Sequence, residues 1–316
     1  TEVEVVVDCV VVVVVETVPD VVGAVVVVVA VVDVDAIVVE VVAVTVVVVL
    51  PVDVDAGVIT NTRLSRDYNV VALDAPAIAA RAQPGQFVMV KPAPGTDPLL
   101  RRPFSIFEIL RGRDGAPTGI SILNKKVGVG TTLVYEAEPG RRIPCLGPLG
   151  RSFTVVDPPD AAWMVAGGVG LAPFATLAAA LQARRVETTL FYGGRRQQDL
   201  FFLDIFERLG AHLVLATEDG SRGHHGFVTE PLGQARTSHP GAAPLALYAG
   251  GPTAMILAVA DLAARHGRRA EVSLEQVMGC GLGGCYSCVV KGRRGGDPPH
   301  YVRSCIEGPI FEAGEI

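Results

Sequence analysis

The feature that most constrains this chain is a group of cysteines near its carboxyl end. In CGLGGCYSCVV, residues 280–290, Cys280, Cys285 and Cys288 follow the spacing C-x4-C-x2-C, and sixteen further residues precede Cys305. This is the ligand spacing of plant-type [2Fe–2S] proteins. The glycines between the cysteines let the backbone fold tightly and direct N–H groups toward the sulfurs. The spacing therefore predicts that four thiolates hold a [2Fe–2S] cluster.

Two other interpretations of these cysteines stay open at this point. A structural zinc site also uses thiolates, although it usually shows paired C-x2-C knuckles, and free buried thiols are the other alternative. Cys9 and Cys145 lie outside the pattern, and we expect them to be inert. Four of the six cysteines crowd into the last forty residues. That distribution indicates a local ligand set rather than a disulfide framework, and it favours a reducing, cytoplasmic compartment.

The amino-terminal segment, residues 1–57, has a composition unlike the rest of the chain. It is dominated by valine and contains ten acidic residues but no lysine, arginine or histidine. The net charge of −6 therefore comes from this segment, and the remaining chain is mildly basic. β-Branched residues favour strands. We nevertheless interpret the segment as a low-complexity placeholder rather than functional sequence, and we assign it no role.

Neither a membrane span nor a secretory signal is expected from this segment. Its longest charge-free apolar runs, 21–32 and 41–52, are shorter than the roughly 18 residues that cross a bilayer as a helix. No basic region precedes them, as a signal peptide requires. The charge balance of the remaining chain gives no reason to expect nucleic acid as a partner.

From about Gly57 onward, two structural patterns follow one another. Short β-like runs such as YNVVALDAP and QFVMVKP, separated by Gly and Pro turn signals, predict an antiparallel barrel or sandwich. From Ala161 an apolar strand, AAWMVAGG, leads into an alanine- and leucine-rich helix and then into another strand, ETTLFYGG. This alternation predicts βαβ units and a parallel sheet.

Two motifs in the barrel-like region carry groups that suit a nucleotide with a flavin ring. RRPFSIFEI, residues 101–109, joins an arginine that can clamp a pyrophosphate to a serine that can reach a ring edge. Alone, it is more often an ordinary strand with a surface arginine. In LNKKVGVGTTL, residues 123–133, glycines would bring backbone amides close to phosphate oxygens. Each motif is weak evidence by itself and gains weight from the other.

Two glycine turns lie further along, each between a predicted strand and a predicted helix. The turns contain Gly167, Gly168 and Gly170 in VAGGVGLAPF, and Gly250, Gly251 and Pro252 in YAGGPTAM. Glycines permit close approach of a phosphate, and a helix N-terminus favours an anion. The first turn is not the full G-x-G-x-x-G fingerprint, and close packing of helix on strand is the alternative. Both turns are expected at the carboxyl edge of one parallel sheet, where open α/β folds bind ligands.

The order of these motifs resembles that of a known family. R-P-F-S, G-x-G-T, GPLG, G-G-V-G-L-A-P, G-G-P and the cysteine group follow one another as in the ferredoxin reductase-type superfamily. The match looks closest to the electron-transfer subunits of NAD-dependent dihydroorotate dehydrogenases, and it spans residues 58–316. The resemblance implies that FAD is bound by Arg102, Pro103, Phe104, Ser105, Leu123, Asn124, Lys125, Gly130 and Thr131. It also implies NAD(H) at the two glycine turns and the [2Fe–2S] cluster on the four cysteines.

The resemblance also implies a domain organisation. After the valine-rich segment 1–57, it implies a β-barrel FAD-binding domain over 58–157, an α/β parallel-sheet NAD-binding domain over 158–268 and a small carboxyl-terminal [2Fe–2S] domain over 269–316. Such a chain is an NAD(H)-dependent flavin and iron–sulfur oxidoreductase subunit. Nicotinamide exchanges hydride, an iron–sulfur cluster carries single electrons, and FAD connects the two.

The implied partner is an FMN-containing dihydroorotate dehydrogenase catalytic subunit of pyrimidine biosynthesis, in a hetero-oligomer expected to be a heterotetramer. Electrons would pass from dihydroorotate through FMN, cluster and FAD to NAD+, and no residue of this chain need act as a general acid or base. Two alternatives stay open. One is an NAD(P)H reductase subunit of another redox complex, of the hydrogenase or electron-bifurcating type. The other is a zinc-containing or redox-sensing binding protein, which visible absorbance would distinguish.

Two departures from the superfamily pattern concern the nicotinamide nucleotide. Gly250 stands where many reductases have a cysteine before G-P, so tight hydride positioning is less strongly implied. The turn TEDGSRGHHG resembles the family's acidic turn. Its Glu218 and Asp219 favour a free ribose hydroxyl and hence NAD, although Ser221 and Arg222 fall where NADP-specific relatives bind the 2′-phosphate.

Overall fold

The structure is a computed structural model that describes residues 4–6, 9–17, 24–32, 42–238, 245–293 and 300–316. The chain divides into two compact units, Thr1–Val52 and Asp53–Ile316. In the described part of the chain, no helix is both long and apolar enough to cross a bilayer.

The first unit is an antiparallel sheet with its four strands in chain order. The strands are β1 (Glu4–Val6), β2 (Cys9–Thr17), β3 (Ala24–Val32) and β4 (Val42–Val49). Their valine content explains this conformation, because β-branched side chains fit a pleated surface better than a helix.

The second unit begins with a closed six-stranded barrel. Its elements are β5 (Val52–Arg63), β6 (Tyr68–Asp74), α1 (Pro76–Ala79), β7 (Phe87–Val90), β8 (Arg102–Arg111), β9 (Pro117–Lys125), α2 (Val129–Tyr135) and β10 (Arg142–Leu149). The strand order is β10-β5-β6-β9-β8-β7, and β7 pairs with β10 to close the barrel. This confirms the predicted barrel. Its first strand begins at Val52, upstream of the predicted domain start at residue 58.

An α/β domain follows the barrel. Its elements are β11 (Ala161–Gly167), α3 (Phe174–Ala183), β12 (Thr188–Gly194), α4 (Leu203–Arg208), β13 (His212–Thr217), β14 (His224–His225), α5 (Thr229–Ser238), β15 (Leu245–Gly250), α6 (Thr253–Arg265), β16 (Ala270–Ser273), β17 (Val289–Lys291), β18 (Tyr301–Arg303) and β19 (Ile310–Glu312). The sheet order is β14-β13-β12-β11-β15-β16-β19, whereas β17 and β18 form a separate antiparallel pair. Within the seven-stranded sheet, the pairings are parallel except that between β16 and β19.

The sheet order places a switch point between β11 and β15. The chain builds outward from β11 through β12 and β13, then returns to β15 on the other side of β11. Ligands of open α/β folds bind at this position, beyond the carboxyl ends of the strands. Two strands of the segment 269–316, β16 and β19, extend this same sheet, so the cysteine-bearing segment is built onto the α/β domain.

Buried apolar clusters among the described residues hold the second unit together. One packs barrel residues, including Phe107 and Leu123, with α/β residues such as Phe174. A second covers the other face of the sheet and includes Phe191 and Ile256. A third packs barrel side chains against the cysteine-bearing segment and is made of Phe87, Met89, Leu149, Met278, Cys288 and Cys305. Burial of a large apolar side chain contributes about 1.5–3 kcal/mol, so these clusters fix the barrel, sheet and cysteine segment relative to one another.

Candidate functional site

Two cavities open where the barrel meets the carboxyl edge of the parallel sheet. The barrel-side cavity has a volume of about 370 Å³, and its lining includes Phe87, Pro103, Phe104, Ser105, Leu123, Lys125, Gly170, Gly250, Gly251, Glu275 and Met278. The sheet-edge cavity has a volume of about 710 Å³, and its lining includes Tyr68, Lys125, Gly167, Gly168, Gly193, Gly194, Arg195, Glu218, Pro252 and Glu275. Lys125, Val169 and Glu275 line both cavities. Groups bound in the two cavities would therefore lie next to each other.

The two glycine turns meet at this junction through their backbones. A β carbon added to Gly170 would collide with the backbone of Gly250 and Gly251. A β carbon on Gly167 would lie 2.9 Å from Cδ of Pro252 and 3.1 Å from the sulfur of Met255. Glycine is required here because any side chain would push the two turns apart.

The sequence-predicted flavin residues fall into two groups. Pro103, Phe104, Ser105, Leu123 and Lys125 line the barrel-side cavity. Arg102, Asn124, Gly130 and Thr131 are not part of that lining.

Arg102 and Gly130 lie against each other beside the start of α2. A β carbon on Gly130 would sit 3.1 Å from Nε of Arg102, so the missing side chain leaves room for the guanidinium. The hydroxyl of Thr131 accepts hydrogen bonds from the N–H groups of Val127 and Gly128, at 2.8 and 3.0 Å. Thr131 therefore stiffens the turn, while the first-turn amides and Arg102 provide the positive end that suits a pyrophosphate.

Asn124 has a different position from its neighbours in the motif. Leu123 and Lys125 share one face of β9, whereas Asn124 points to the other face and is completely buried. Its amide donates to Oδ1 of Asn69 at 2.7 Å and to the carbonyl of Thr131 at 3.0 Å. Asn69 in turn donates to Asn61 at 2.7 Å, which donates to the carbonyl of Ala137 at 2.7 Å. This ladder of amides anchors α2 to the barrel.

The acidic turn after β13 presents one carboxylate to the sheet-edge cavity. Glu218 lines the cavity, as expected for a residue that accepts a hydrogen bond from a ribose hydroxyl. Ser221 is engaged elsewhere, since its hydroxyl donates to Asp219 at 2.6 Å and accepts from the N–H of Gln197 at 2.8 Å. The hydroxyl and the backbone N–H of Ser221 both donate to Oδ1 of Asp219, and these hydrogen bonds hold the pKa of Asp219 below its usual range. The arrangement suits NAD better than NADP.

The four cysteines form two pairs with different surroundings. Cys288 and Cys305 are buried, each 1% exposed, and pack on Phe87, Met89 and Leu149 of the barrel. We call them the inner pair. Cys280 and Cys285 form the outer pair, in which Cys280 is half-buried and Cys285 is exposed.

The electrostatics of the two pairs also differ. The hydroxyl of Ser287 lies 3.2 Å from Sγ of Cys285, and hydrogen bonds from Ser287 first, and Cys280 second, lower the pKa of Cys285 to about 6. Burial raises the pKa of Cys305 to about 12, and its close neighbour Cys288 adds to that shift. The N–H of Leu282 donates to Sγ of Cys280 at 3.3 Å, as expected where a thiolate must be stabilised.

This two-and-two arrangement fits a [2Fe–2S] cluster better than zinc. Each iron of such a cluster takes two protein ligands, whereas zinc requires all four around one point. None of the four cysteines is in a disulfide. Cys145 is completely buried, and burial raises its pKa to about 12, in agreement with the expectation that it is inert.

Comparison with family models matches two parts of the chain. Residues 275–316 match the iron–sulfur cluster binding domain of dihydroorotate dehydrogenase B, and residues 164–261 match an oxidoreductase NAD-binding domain. The curated relatives include the electron transfer subunit of dihydroorotate dehydrogenase B (NAD(+)) from Desulforamulus reducens, 37% identical over 244 residues, which covers 77% of this chain and 90% of the relative. The chain belongs to this family.

Other comparisons agree with this assignment. The corresponding subunit from Bacillus caldolyticus is 38% identical over 236 residues, covering 74% of this chain and 86% of the relative. Among solved structures, an NADH-dependent reduced ferredoxin-NADP oxidoreductase studied for flavin-based electron bifurcation superposes with a TM-score of 0.71, at 25% identity, covering 83% of this chain and 89% of that chain. Family and fold confirm the predicted type of protein, an NAD(H)-dependent flavin and iron–sulfur oxidoreductase, with FAD, a [2Fe–2S] cluster and NAD(H) as its cofactors.

Several residues that line the site were not singled out from the sequence, among them Glu275, Phe87 and Met278. Glu275 lines both cavities from the loop after β16. Phe87 and Met278 line the barrel-side cavity and also pack with the inner pair of cysteines. No spacing rule marks such residues, because their role depends on which distant strands the fold brings together.

Proposed function

We propose that this chain carries electrons between NAD(H) and an FMN-containing dihydroorotate dehydrogenase catalytic subunit in pyrimidine biosynthesis. In this proposal FAD occupies the barrel-side cavity, nicotinamide the sheet-edge cavity, and the four cysteines hold the cluster. The observation that carries the proposal is the position of the cysteines, because the inner pair adjoins the barrel-side cavity and the outer pair reaches the surface.

The distance between the barrel-side cavity and the inner pair of cysteines is short. Phe87 and Met278 contribute to the wall of the barrel-side cavity and also pack with Cys288 and Cys305. A ring in the cavity and a cluster on the cysteines would therefore be separated by about the thickness of one side chain. This supports direct electron exchange between the two.

The outer side has the character of a docking surface. Leu282, Tyr286 and Ile306 are 54%, 63% and 44% exposed, around the exposed Cys285. Ile306 lies over Gly283, and the guanidinium of Arg303 lies 5.5 Å from the ring centre of Tyr286. Exposed apolar and aromatic side chains grouped beside a charged group are typical of protein interfaces. We infer that the catalytic subunit docks here to form the hetero-oligomer.

The chain's own residues would hold and orient the cofactors. The bound groups supply the change from hydride to single electrons. Arg102 and the amides at the start of α2 would hold the pyrophosphate of FAD, while Ser105 and Lys125 would face its ring. The turns at Gly167 and Gly250 would bring nicotinamide against the flavin, since both cavities share Lys125, Val169 and Glu275. The proposed function requires no side chain of this protein to act as a general acid or base.

The proposal is tested by measuring which reactions the isolated protein catalyses and which require the catalytic subunit. The isolated protein should bleach its flavin with NADH and reduce an artificial dye, but it should not turn over dihydroorotate until an FMN-containing catalytic subunit is added. Serine variants of the four cysteines should lose the coupled reaction and keep much of the NADH-to-dye activity. Oxidation of dihydroorotate by the isolated chain, or no bleaching by NADH, would refute the proposal.

A matched pair of isoleucines tests the docking surface. Ile306, beside the cluster segment, and Ile59, on the barrel strand β5, are 44% and 47% exposed. Ile306→Ala should weaken binding to the catalytic subunit by roughly tenfold, the usual effect of truncating an interface anchor. Ile59→Ala should leave binding unchanged, and NADH-to-dye activity should be normal in both variants. Equal binding by both would place the interface elsewhere.

The structural match to an electron-bifurcating enzyme supports a second candidate function. A subunit of such a complex would use the same three cofactors and the same outer pair, but its client would be another redox protein. Co-purification from the native organism distinguishes the candidates, because only the first recovers an FMN protein that oxidises dihydroorotate.

A further inference from the structure

One hydroxyl beside the inner pair of cysteines has no hydrogen-bond partner. Ser304 is completely buried, and its Oγ makes no hydrogen bond in the described structure. The residue directly precedes Cys305, and its backbone N–H donates to the carbonyl of Cys288 at 3.0 Å. Ser304 is therefore fixed between the two inner ligands.

The apolar side chains that pack with Cys288 and Cys305 are Phe87, Met89, Leu149 and Met278. None of these side chains carries an oxygen or nitrogen that could accept a hydrogen bond from a hydroxyl. A buried hydroxyl without a partner costs free energy, so such groups usually mark an acceptor that completes the site. The sulfurs of a bound cluster are acceptors of that kind.

We propose that the hydroxyl of Ser304 donates a hydrogen bond to a sulfur on the inner side of the cluster and thereby raises the reduction potential of the cluster. The proposal rests on the cluster assignment made under the proposed function. One-electron reduction adds negative charge to the sulfurs, so a donor stabilises the reduced form more than the oxidised form. Removing the donor must then lower the potential.

The outer pair offers a comparison within the same site. Ser287 has its hydroxyl 3.2 Å from Sγ of Cys285 and also accepts from the N–H of Gly279 at 2.8 Å. The hydroxyl of Ser287 therefore already has hydrogen-bond partners in the protein. The hydroxyl of Ser304 has no protein partner, so it remains available to donate a hydrogen bond to a sulfur of the cluster.

The experiment compares the midpoint potentials of holoprotein variants by redox titration followed by visible absorbance and EPR. Ser304→Ala should retain iron and show a lower midpoint than the wild type. Ser304→Thr, which keeps a hydroxyl, should stay close to the wild type. Ser121→Ala is the control, because Ser121 is also buried, 3% exposed, but lies in the barrel and donates to Glu108 at 3.2 Å. In pulsed EPR, the wild type should show a cluster-coupled proton that exchanges in D2O and is lost in Ser304→Ala.

The outcomes separate this proposal from the cluster assignment. Iron in every variant with equal midpoints, and with the exchangeable proton unchanged, overturns the role of Ser304 alone. If Ser304→Ala does not retain iron, Ser304→Val is compared with Ser304→Thr, since the two have the same shape and differ in the hydroxyl. A lower midpoint for valine supports the hydrogen bond, and equal midpoints overturn it. A wild-type protein without iron overturns the cluster assignment and this proposal with it.

Discussion

The nucleotide side and the cluster side of this molecule are built by different means. At the junction of the two cavities, the contact is made by backbone, because Gly170 packs directly on Gly250 and Gly251. At the cluster segment, the contact is made by sulfur side chains with sharply different surroundings, buried for Cys288 and exposed for Cys285. A substitution on the nucleotide side should therefore disturb the packing of the two glycine turns. A substitution on the cluster side should change the ligands available to the irons.

The largest expected effect comes from Gly170→Ala. The new methyl would collide with backbone rather than with a movable side chain, so the two turns must separate, at a cost of about 3 kcal/mol or more. We expect a lower Tm and loss of both FAD and NAD(H) binding, measured by thermal unfolding and by flavin content. Gly233→Ala is the control. Gly233 lies in α5, where nothing is within 4 Å of an added β carbon, and alanine there should be neutral or stabilising by up to about 1 kcal/mol.

Serine variants of the cysteines should instead remove one cofactor and leave the other. Cys280→Ser, Cys285→Ser, Cys288→Ser and Cys305→Ser should each lose or destabilise the cluster, since thiolates hold the irons. FAD should stay bound, because none of these residues lines the barrel-side cavity. Iron and flavin are measured on the same sample, and Cys145→Ser should leave iron unchanged. Full iron in the variants would contradict the ligand assignment.

The difference between the two sides also explains what could be predicted from the sequence. The spacing of Cys280, Cys285 and Cys288 is visible in the sequence because the chemistry resides in the side chains themselves. The barrel was predicted from short β-like runs separated by Gly and Pro turn signals, and the parallel sheet from the alternation of apolar strands with a helix. Both glycine turns were expected at one edge of the sheet, but lining residues such as Glu275 and Phe87 could not be predicted, because the fold brings them there from distant parts of the chain.

Asn124 illustrates the same limit within a motif. The resemblance assigned Leu123, Asn124 and Lys125 to FAD as one segment, but successive residues of a strand face opposite sides. Leu123 and Lys125 line the cavity, whereas Asn124 is buried behind them and donates to Asn69. Whether such a residue touches a ligand or supports the strand depends on the strand's orientation, which a motif does not contain.

Arg102→Ala should have an intermediate effect, confined to flavin retention. The substitution removes a charged group beside Gly130, where a pyrophosphate contact is expected to contribute about 1.5–3 kcal/mol. Affinity for FAD should fall by roughly ten- to hundredfold. The measurement is flavin release during gel filtration and dilution, with iron content as the internal control. Unchanged retention of FAD would show that Arg102 is not a pyrophosphate ligand.

The smallest expected effect concerns one thiol of the outer pair in iron-free protein. Hydrogen bonds from Ser287 lower the pKa of Cys285 to about 6, so at neutral pH this exposed cysteine is mainly thiolate. Its alkylation by iodoacetamide should be fast at pH 7 and should slow as the pH falls through about 6, because protonation removes the nucleophile. Cys145, with its pKa raised to about 12 by burial, should stay unlabelled over this range. Ser287→Ala should move the midpoint of the Cys285 profile to higher pH without affecting Cys145, and peptide mass spectrometry reports both sites in one sample. If Cys145 is labelled as readily as Cys285, or if the profile of Cys285 does not depend on Ser287, the contrast between the exposed outer pair and the buried thiols is wrong.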